Sequence, residues 1–434
     1  MNRVNKMSKQ FQFPFGHSLL KANIPANNIE AILKTKHIQG LDDERESLIN
    51  SLRNPIGCPS LVDCIDTNHK VVIIVTDNTR PCPDKKLLPP ILDELERKIP
   101  SDNITIIVAL GLHTPMDKEK LVKKFSRKIL ENYNVINHYV EQVSNIGKTS
   151  RGTPIDININ VLRVDFRIST GLIEPHFFAG FSGGRKSIAP GVSSTRSIHA
   201  NHSYKMIEHP KAKTGILDGN PIHEDMVEQA KVAKLDFIVN VLLNDNGEIT
   251  HIFAGDAQRA HETGCQICRE KAGARIKNKV DIAISTNGGA PLDLDLYQTC
   301  KGIDNASKIT REGGIIIIAS ACDEGVGPEE FEKLHATSNS PSEILQKIRN
   351  EELKGVQWQN QILAHAQMRH EIYLVSNLKE NVVTNMKMTP IRTIEEGLEK
   401  ALNILGNDAK IALIPEGPSL IPLLGTGMIG YHDH

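Results

Sequence analysis

VVIIVTDNTRP (residues 71–81) opens with five apolar residues in a row and then breaks into a polar loop. An unbroken apolar run bounded by turn residues fits a strand covered on both faces, as parallel sheets require. The arrangement recurs twice: NITIIVAL (103–110) runs into GLHTP (111–115), and DFRIST (165–170) runs into GLIEPH (171–176). A helical pattern over 87–98 follows the first unit. A helix from Met116 onward follows the second, with Thr114 as N-cap and Pro115 at the first helical position. Three strand–loop units of this kind predict an open α/β sheet, whose ligands bind in the crevice beyond the carboxyl ends of the strands. Asp77 with Arg80, His113 and His176 are therefore expected to converge, although they lie far apart in the chain.

Upstream, residues 27–33 and 43–52 read as helices, and NPIGCPSL (54–61) breaks the second. Downstream, LDFIVNVLL (235–243) and EITHIFAG (248–255) flank an NDNG hairpin turn, and 256–271 is helical. A second α/β set follows with DIAIS (281–285), GGIIIIAS (313–320), EIYLVS (371–376) and KIALIP (410–415). The expected architecture is α/β in two domains, each an open, mostly parallel sheet flanked by helices, with the active site in the interdomain cleft. The N-terminal domain spans 1–258 and the C-terminal one 279–415. The final segment, 416–434, is expected to pack back on the first domain.

A chain of 434 residues exceeds one core's worth, in line with two domains. A formal net charge of -1 gives no electrostatic case for nucleic acid or an anionic membrane surface. No apolar run approaches the roughly 20 residues of a membrane span. The leading MNRVNKMSKQFQFPFGH has basic residues but no apolar core of a secretory signal. Seven cysteines scattered along a long chain fit a reducing compartment, so a soluble cytoplasmic protein is expected. Cys265 and Cys268 form a CxxC in a helical context with no second pair, and read as structural.

The stretch running on from the third strand, GLIEPHFFAGFSGGRKSIAPGVSSTRSIHANH (171–202), packs His176, Arg185, Lys186, His199 and His202 among glycines. Such backbone lets a ligand approach closely. Neutral imidazole suits nickel, copper, iron and zinc alike. A lysine among glycines binds phosphate as a point charge or forms a covalent link to a cofactor, and the residues alone do not separate the two. Amides around Ser182, Gly183 and Gly184 read as a nest of phosphate donors. Arg80 offers a planar fork for a carboxylate or phosphate. In the second half LYQTCKG places Tyr297, Gln298 and Lys301 after a strand–loop, and Trp358 lies in a helical segment.

GLIEPHFFAGFSGGRKSIAPG followed by Asn201–His202 closely resembles the signature of the lactate racemase family, the nickel-pincer-nucleotide enzymes. The resemblance implies a pyridinium-3,5-bisthiocarboxylic acid mononucleotide joined covalently to Lys186, carrying nickel with His202 as the protein ligand. It makes His113 and His176 the two catalytic histidines and puts Asp77, with Asn78 and Thr79, on the nucleotide. Arg80 and Lys301 would hold the substrate carboxylate, Gln298 would join the site, and Tyr297 and Trp358 would contact the cofactor. His199 falls beside the nickel ligand rather than on it. Relatives often have Arg after His113 where this chain has Thr114, a departure that bears on substrate preference rather than reaction type.

The implied function is racemisation or epimerisation of a 2-hydroxy acid by reversible hydride transfer through a planar 2-keto acid. The implied partners are that small acid and the enzymes that mature the cofactor. Alternatives with the same cofactor are a sugar-acid 2-epimerase and a racemase of a larger or dicarboxylic hydroxy acid. A nicotinamide dehydrogenase lacks its G-x-G-x-x-G after the first buried strand. A non-catalytic nucleotide- or metal-binding protein would have no need to keep His113, His176, Lys186 and His202 together.

Overall fold

Residues 71–75 are all buried, and the strand that they open, Val71–Thr76, lies inside a six-stranded sheet. The sheet order is Ile249–Asp256, Phe237–Leu243, Phe166–Leu172, Val71–Thr76, Ile104–Ala109, Asn134–Asn137. Ile249–Asp256 is antiparallel, joined to its neighbour by the expected hairpin, and the other pairings are parallel. Strand residues alternate between faces. Val71, Ile73 and Val75 pack with Leu48 and Leu52 of the helix Glu44–Arg53 and with Leu87, Leu88 and Ile91 of the helix Asp84–Glu96. The strand order reverses direction between Val71–Thr76 and Phe166–Leu172. The loops leaving those two strands are TDNTRP and the glycine-rich stretch, so both functional loops leave the sheet at its switch point.

This computed structural model describes residues 8–352 and 354–425. The chain forms two compact units, one of His37–Lys271 and one of the described parts of Met1–Lys36 and Ala272–His434. The second unit holds an all-parallel sheet ordered Thr389–Ile391, Glu371–Val375, Thr310–Ala319, Val280–Thr286, Ile411–Ile414, Ile29–Ile32. The IIII run splits by pleat: Ile316 and Ile318 enter one core with Leu296 and Ile303, Ile315 and Ile317 the other with Phe13 and Leu398. Among the described residues no helix is long and apolar enough to cross a membrane.

Four expectations change. Residues 27–33, expected as a helix, form a short 3-10 turn Ala26–Asn28 and the edge strand Ile29–Ile32. Here alternating exposure and the bonds from Asn28 Nδ2 to the carbonyls of Asn407 and Ala409 (both 2.9 Å) outweigh local helix preference. The first 36 residues thus belong with the C-terminal sheet, and the first unit is His37–Lys271 rather than 1–258. Ile421–Leu424 pairs with Gly273–Ile276 inside that same unit, so the described part of 416–434 stays with the C-terminal sheet. Residues 426–434 lie outside the described residues. The helix expected from Met116 begins at Lys118, where Asp117 accepts from the Lys120 amide, displacing Thr114 as cap.

Two core histidines give the fold a pH dependence. His138 bonds Asn158 and the Ser193 carbonyl, and burial pulls it from 6.5 down to about 4. His335, against Asn360 and Gln367, is also pulled by burial from 6.5 to about 4. As pH falls from 6.5 towards 4 the unfolded chain takes up protons that the folded chain refuses. Stability is therefore complete above that window and is lost on acidification, by about 1.4 kcal/mol per pH unit per histidine. Urea unfolding at pH 7 and pH 5 should show the loss, and His138→Gln should flatten the slope by about one proton's worth. An unchanged slope in that variant contradicts the assignment.

Candidate active site

Asp77 follows Val71–Thr76 directly and is buried. Its Oδ1 accepts from the Thr79 amide (3.1 Å) and hydroxyl (2.7 Å), and its Oδ2 lies 2.6 Å from His113 Nδ1. Burial alone would raise this carboxyl. The His113 bond and charge, the Thr79 hydroxyl and the Arg80 charge outweigh it and hold Asp77 below the usual carboxylate range. An ionised carboxylate can only accept, so His113 Nδ1 carries a proton, and in the neutral ring Nε2 keeps its lone pair. The His113 ring is 42% exposed, which makes this an oriented base open to a ligand. Asn78 and Thr79 are exposed and Arg80 is half-buried in the same loop.

The loop is held from below by an ion pair that the sequence did not single out. Asp84, fully buried, lies 2.9 Å from Lys124 Nζ on the helix Lys118–Phe125. The ammonium also donates to the carbonyls of Arg80 (3.1 Å) and Cys82 (3.0 Å). Asp84 Oδ1 accepts from Thr170 Oγ1 (2.7 Å) on Phe166–Leu172. One carboxylate therefore ties the two strand ends of the switch point together. A second tie is the Gly111 amide, which donates to the Gly191 carbonyl at 3.0 Å and joins the His113 loop to the lysine loop.

Lys186 sits in the short turn Gly184–Ser187. Gly183 and Gly184 have φ of +78° and +52°, and a Cβ on them would meet Asn240 Oδ1 at 2.6 Å and the His261 ring at 2.7 Å. Backbone conformation and space both demand glycine there. Two of the three amides expected as a nest over 182–184 are otherwise engaged. The Ser182 amide donates to the Glu174 carbonyl (2.9 Å) and the Gly184 amide to Asn240 Oδ1 (2.8 Å), so these groups build the turn. Arg185 is buried beneath it, donating to the Ala179 carbonyl (2.8 Å) and towards His261 Nε2 (2.8 Å). Burial draws the guanidinium down to about 10, so it stays charged at neutral pH. Burial, helped by that charge, pulls His261 down to about 3.

Lys186 Nζ lies 3.0 Å from His176 Nε2, and His176 Nδ1 accepts from the Ala179 amide at 3.3 Å. An amine held against an imidazole in this way becomes a nucleophile once it gives up its proton. Phe178 is the hub: its ring meets His176 edge-on at 4.6 Å and His202 at 4.9 Å, with Lys186 Nζ 5.8 Å from its centroid. The structure thus groups Lys186, His176 and His202 around one phenylalanine.

His202 ends the helix Thr195–Asn201. Ser194 caps the start of that helix, and Asp156 grips Ser194 Oγ (2.6 Å) and Arg196 Nε (2.5 Å). His202 is buried, and burial first, then the charges of Lys186 and His199, push it well below 6.5. A buried neutral imidazole and the amine of Lys186 fit a nickel ion carried by a group tethered on that lysine. Among the described residues no three His, Cys, Asp or Glu form a metal cage, and the expectation named one protein ligand. Cys265 and Cys268 are buried thiols that burial raises, in keeping with a structural CxxC.

In the other unit Tyr297, Gln298 and Lys301 lie in the first turns of the helix Leu296–Ile309, capped by Asp295 beyond Val280–Thr286. Lys301 Nζ donates to Gln298 Oε1 at 2.7 Å, and both side chains are half-buried. Trp358 opens the helix Trp358–Arg369 and is buried; its neighbour Gln359 donates to the Tyr297 carbonyl at 2.7 Å. Phe178, Lys124 and Asp84 escaped sequence reasoning. The only signal for Phe178 was its place two residues after His176.

Residues 15–215 match the model of the lactate racemase N-terminal domain and residues 276–422 that of the lactate racemase C-terminal domain. A lactate racemase of Thermoanaerobacterium thermosaccharolyticum is 39% identical over 420 residues, 94% of this chain and 98% of that protein. One from Lactiplantibacillus plantarum is 41% identical over 385 residues, 87% and 91% of the two chains. The structure of the Thermoanaerobacterium lactate racemase apoprotein superposes with a TM-score of 0.91 at 38% identity, covering 96% of this chain and 100% of that one. A Thermotoga maritima protein at 17% identity, TM-score 0.69, covering 89% and 100%, shares the fold. With two curated relatives near 40% identity along most of its length and both domain models matched, this chain belongs to the lactate racemase family.

Proposed function

We propose that the chain inverts the stereocentre of a 2-hydroxy acid, using a nickel-pincer nucleotide tethered to Lys186. The observation that carries this reading is the Lys186–His176 contact at 3.0 Å, an amine held against an imidazole, together with the Asp77–His113 pair at 2.6 Å. When bound, the cofactor supplies the acceptor and donor of hydride. The chain supplies the rest. His113 Nε2, its other nitrogen fixed by Asp77, takes the substrate hydroxyl proton for one enantiomer. His176 serves the other. Two bases are what a racemase needs, because the proton must be handled from either face.

Arg80 and Lys301 hold the substrate carboxylate, with Gln298 steering Lys301. His202 holds nickel, Asp77, Asn78 and Thr79 meet the nucleotide, and Tyr297 and Trp358 pack on it. The named relatives act on lactate, and lactate is the first substrate to try. Larger, dicarboxylic and sugar hydroxy acids complete the panel, with Thr114 beside His113 as the position to vary.

Chain produced alongside the cofactor's biosynthetic enzymes should show a nucleotide-sized adduct on Lys186 by peptide mass spectrometry, with nickel in equal amount. Lys186→Ala should lose both adduct and stereoinversion. Asp77→Asn frees the His113 proton and should lower turnover of both enantiomers by roughly 10²–10⁴, followed by polarimetry. Arg80→Lys keeps the charge but not the fork, and should raise KM by about ten- to a hundredfold.

A further inference from the structure

The helix Pro221–Val232, which carries no sequence motif, holds two parts of this site at once. It lies beyond residue 215, where the match to the N-terminal domain model ends. Its cap, Asn220, receives the amides of Ile222 (3.1 Å) and His223 (3.4 Å) on Oδ1. The same side chain donates through Nδ2 to the Phe178 carbonyl at 2.9 Å, fixing the ring on which His176, His202 and Lys186 converge. One turn on, Asp225 is 1% exposed and faces three neutral donors: Thr149 Oγ1 (2.6 Å), Asn201 Nδ2 (2.7 Å) and Gln229 Nε2 (3.0 Å). Asn201 also donates to the Ile222 carbonyl (3.2 Å). Asn201 is the residue before His202.

A carboxylate buried without a cation is costly, and an apolar side chain would fill the space at less expense. What the carboxylate adds is direction: one strong, charge-assisted bond, backed by the weaker one to the Ile222 carbonyl, fixes the Asn201 side chain from the helix behind it. We infer that Asp225 is a positioning residue for His202, acting through Asn201 to set where the imidazole stands. This role rests on the reading of His202 as the nickel ligand. Partners of this kind around a ligand histidine are worth about tenfold or more in metal retention.

The test compares Asp225→Ala with Asp225→Asn. The alanine strands Asn201 Nδ2 and Gln229 Nε2. The asparagine can still accept both through its oxygen, while the Thr149 hydroxyl turns to accept. In matured protein, nickel release to a chelator should be about tenfold faster for Asp225→Ala and within about twofold of wild type for Asp225→Asn. In cofactor-free protein, exchange of the His202 amide hydrogen, bonded to Ile198 at 2.8 Å, should follow the same pattern. A folded alanine variant with wild-type retention and exchange overturns the role, as does an asparagine variant as impaired as the alanine. If Asp225→Ala does not fold, Thr149→Val, which removes one donor, should speed both processes about threefold, and no change overturns the role. Matured wild type carrying neither adduct nor nickel defeats the functional reading, while the exchange arm still decides whether Asp225 places His202.

Discussion

The buried pair of Asp84 and Lys124 is the constraint on which the arrangement of the strand ends depends. Asp84 reaches Thr170 on one side of the switch point, and Lys124 gathers the carbonyls of Arg80 and Cys82 on the other. Removing one member of such a pair leaves an uncompensated buried charge, typically worth 3–5 kcal/mol. An apolar pair would fill the space equally well. It would not fix where Asp77 stands relative to the strand that leads into the lysine turn. The ion pair therefore contributes register more than stability.

Above that base the electrostatics are arranged by burial. Arg185 is a cation under the lysine turn whose hydrogen bonds go to carbonyls and to a histidine held neutral. Beside it His223 is drawn down to about 2, by burial first and then by the charges of Arg185 and His261.

The sheets and the loops at their ends were legible because a strand buried on both faces writes itself as an apolar run, and each run ended in a polar loop. Asp77, His113, His176, Lys186 and His202 were legible because their residue types are rare beside glycine-rich turns and matched a family signature in order. What stayed hidden depended on tertiary structure. Ile29–Ile32 is a strand only because Ile411–Ile414 offers it an edge. The amides at 182 and 184 looked available until Glu174 and Asn240 were seen to occupy them. Asp84, Lys124, Asn220 and Asp225 carry no local signal, since a buried polar residue reads in sequence like a surface one.

The strand Ile29–Ile32 has a consequence for how the chain is made. It pairs with Ile411–Ile414, so the sheet of the outer unit is closed by residues from opposite ends of the polypeptide, with His37–Lys271 spliced between them. During synthesis this strand leaves the ribosome before the rest of its sheet and is among the last to find its neighbour. The inner unit has all its own strands and can close long before that. Until the ends meet, Ile411–Ile414 presents an open edge, the feature by which unfinished chains adhere to one another.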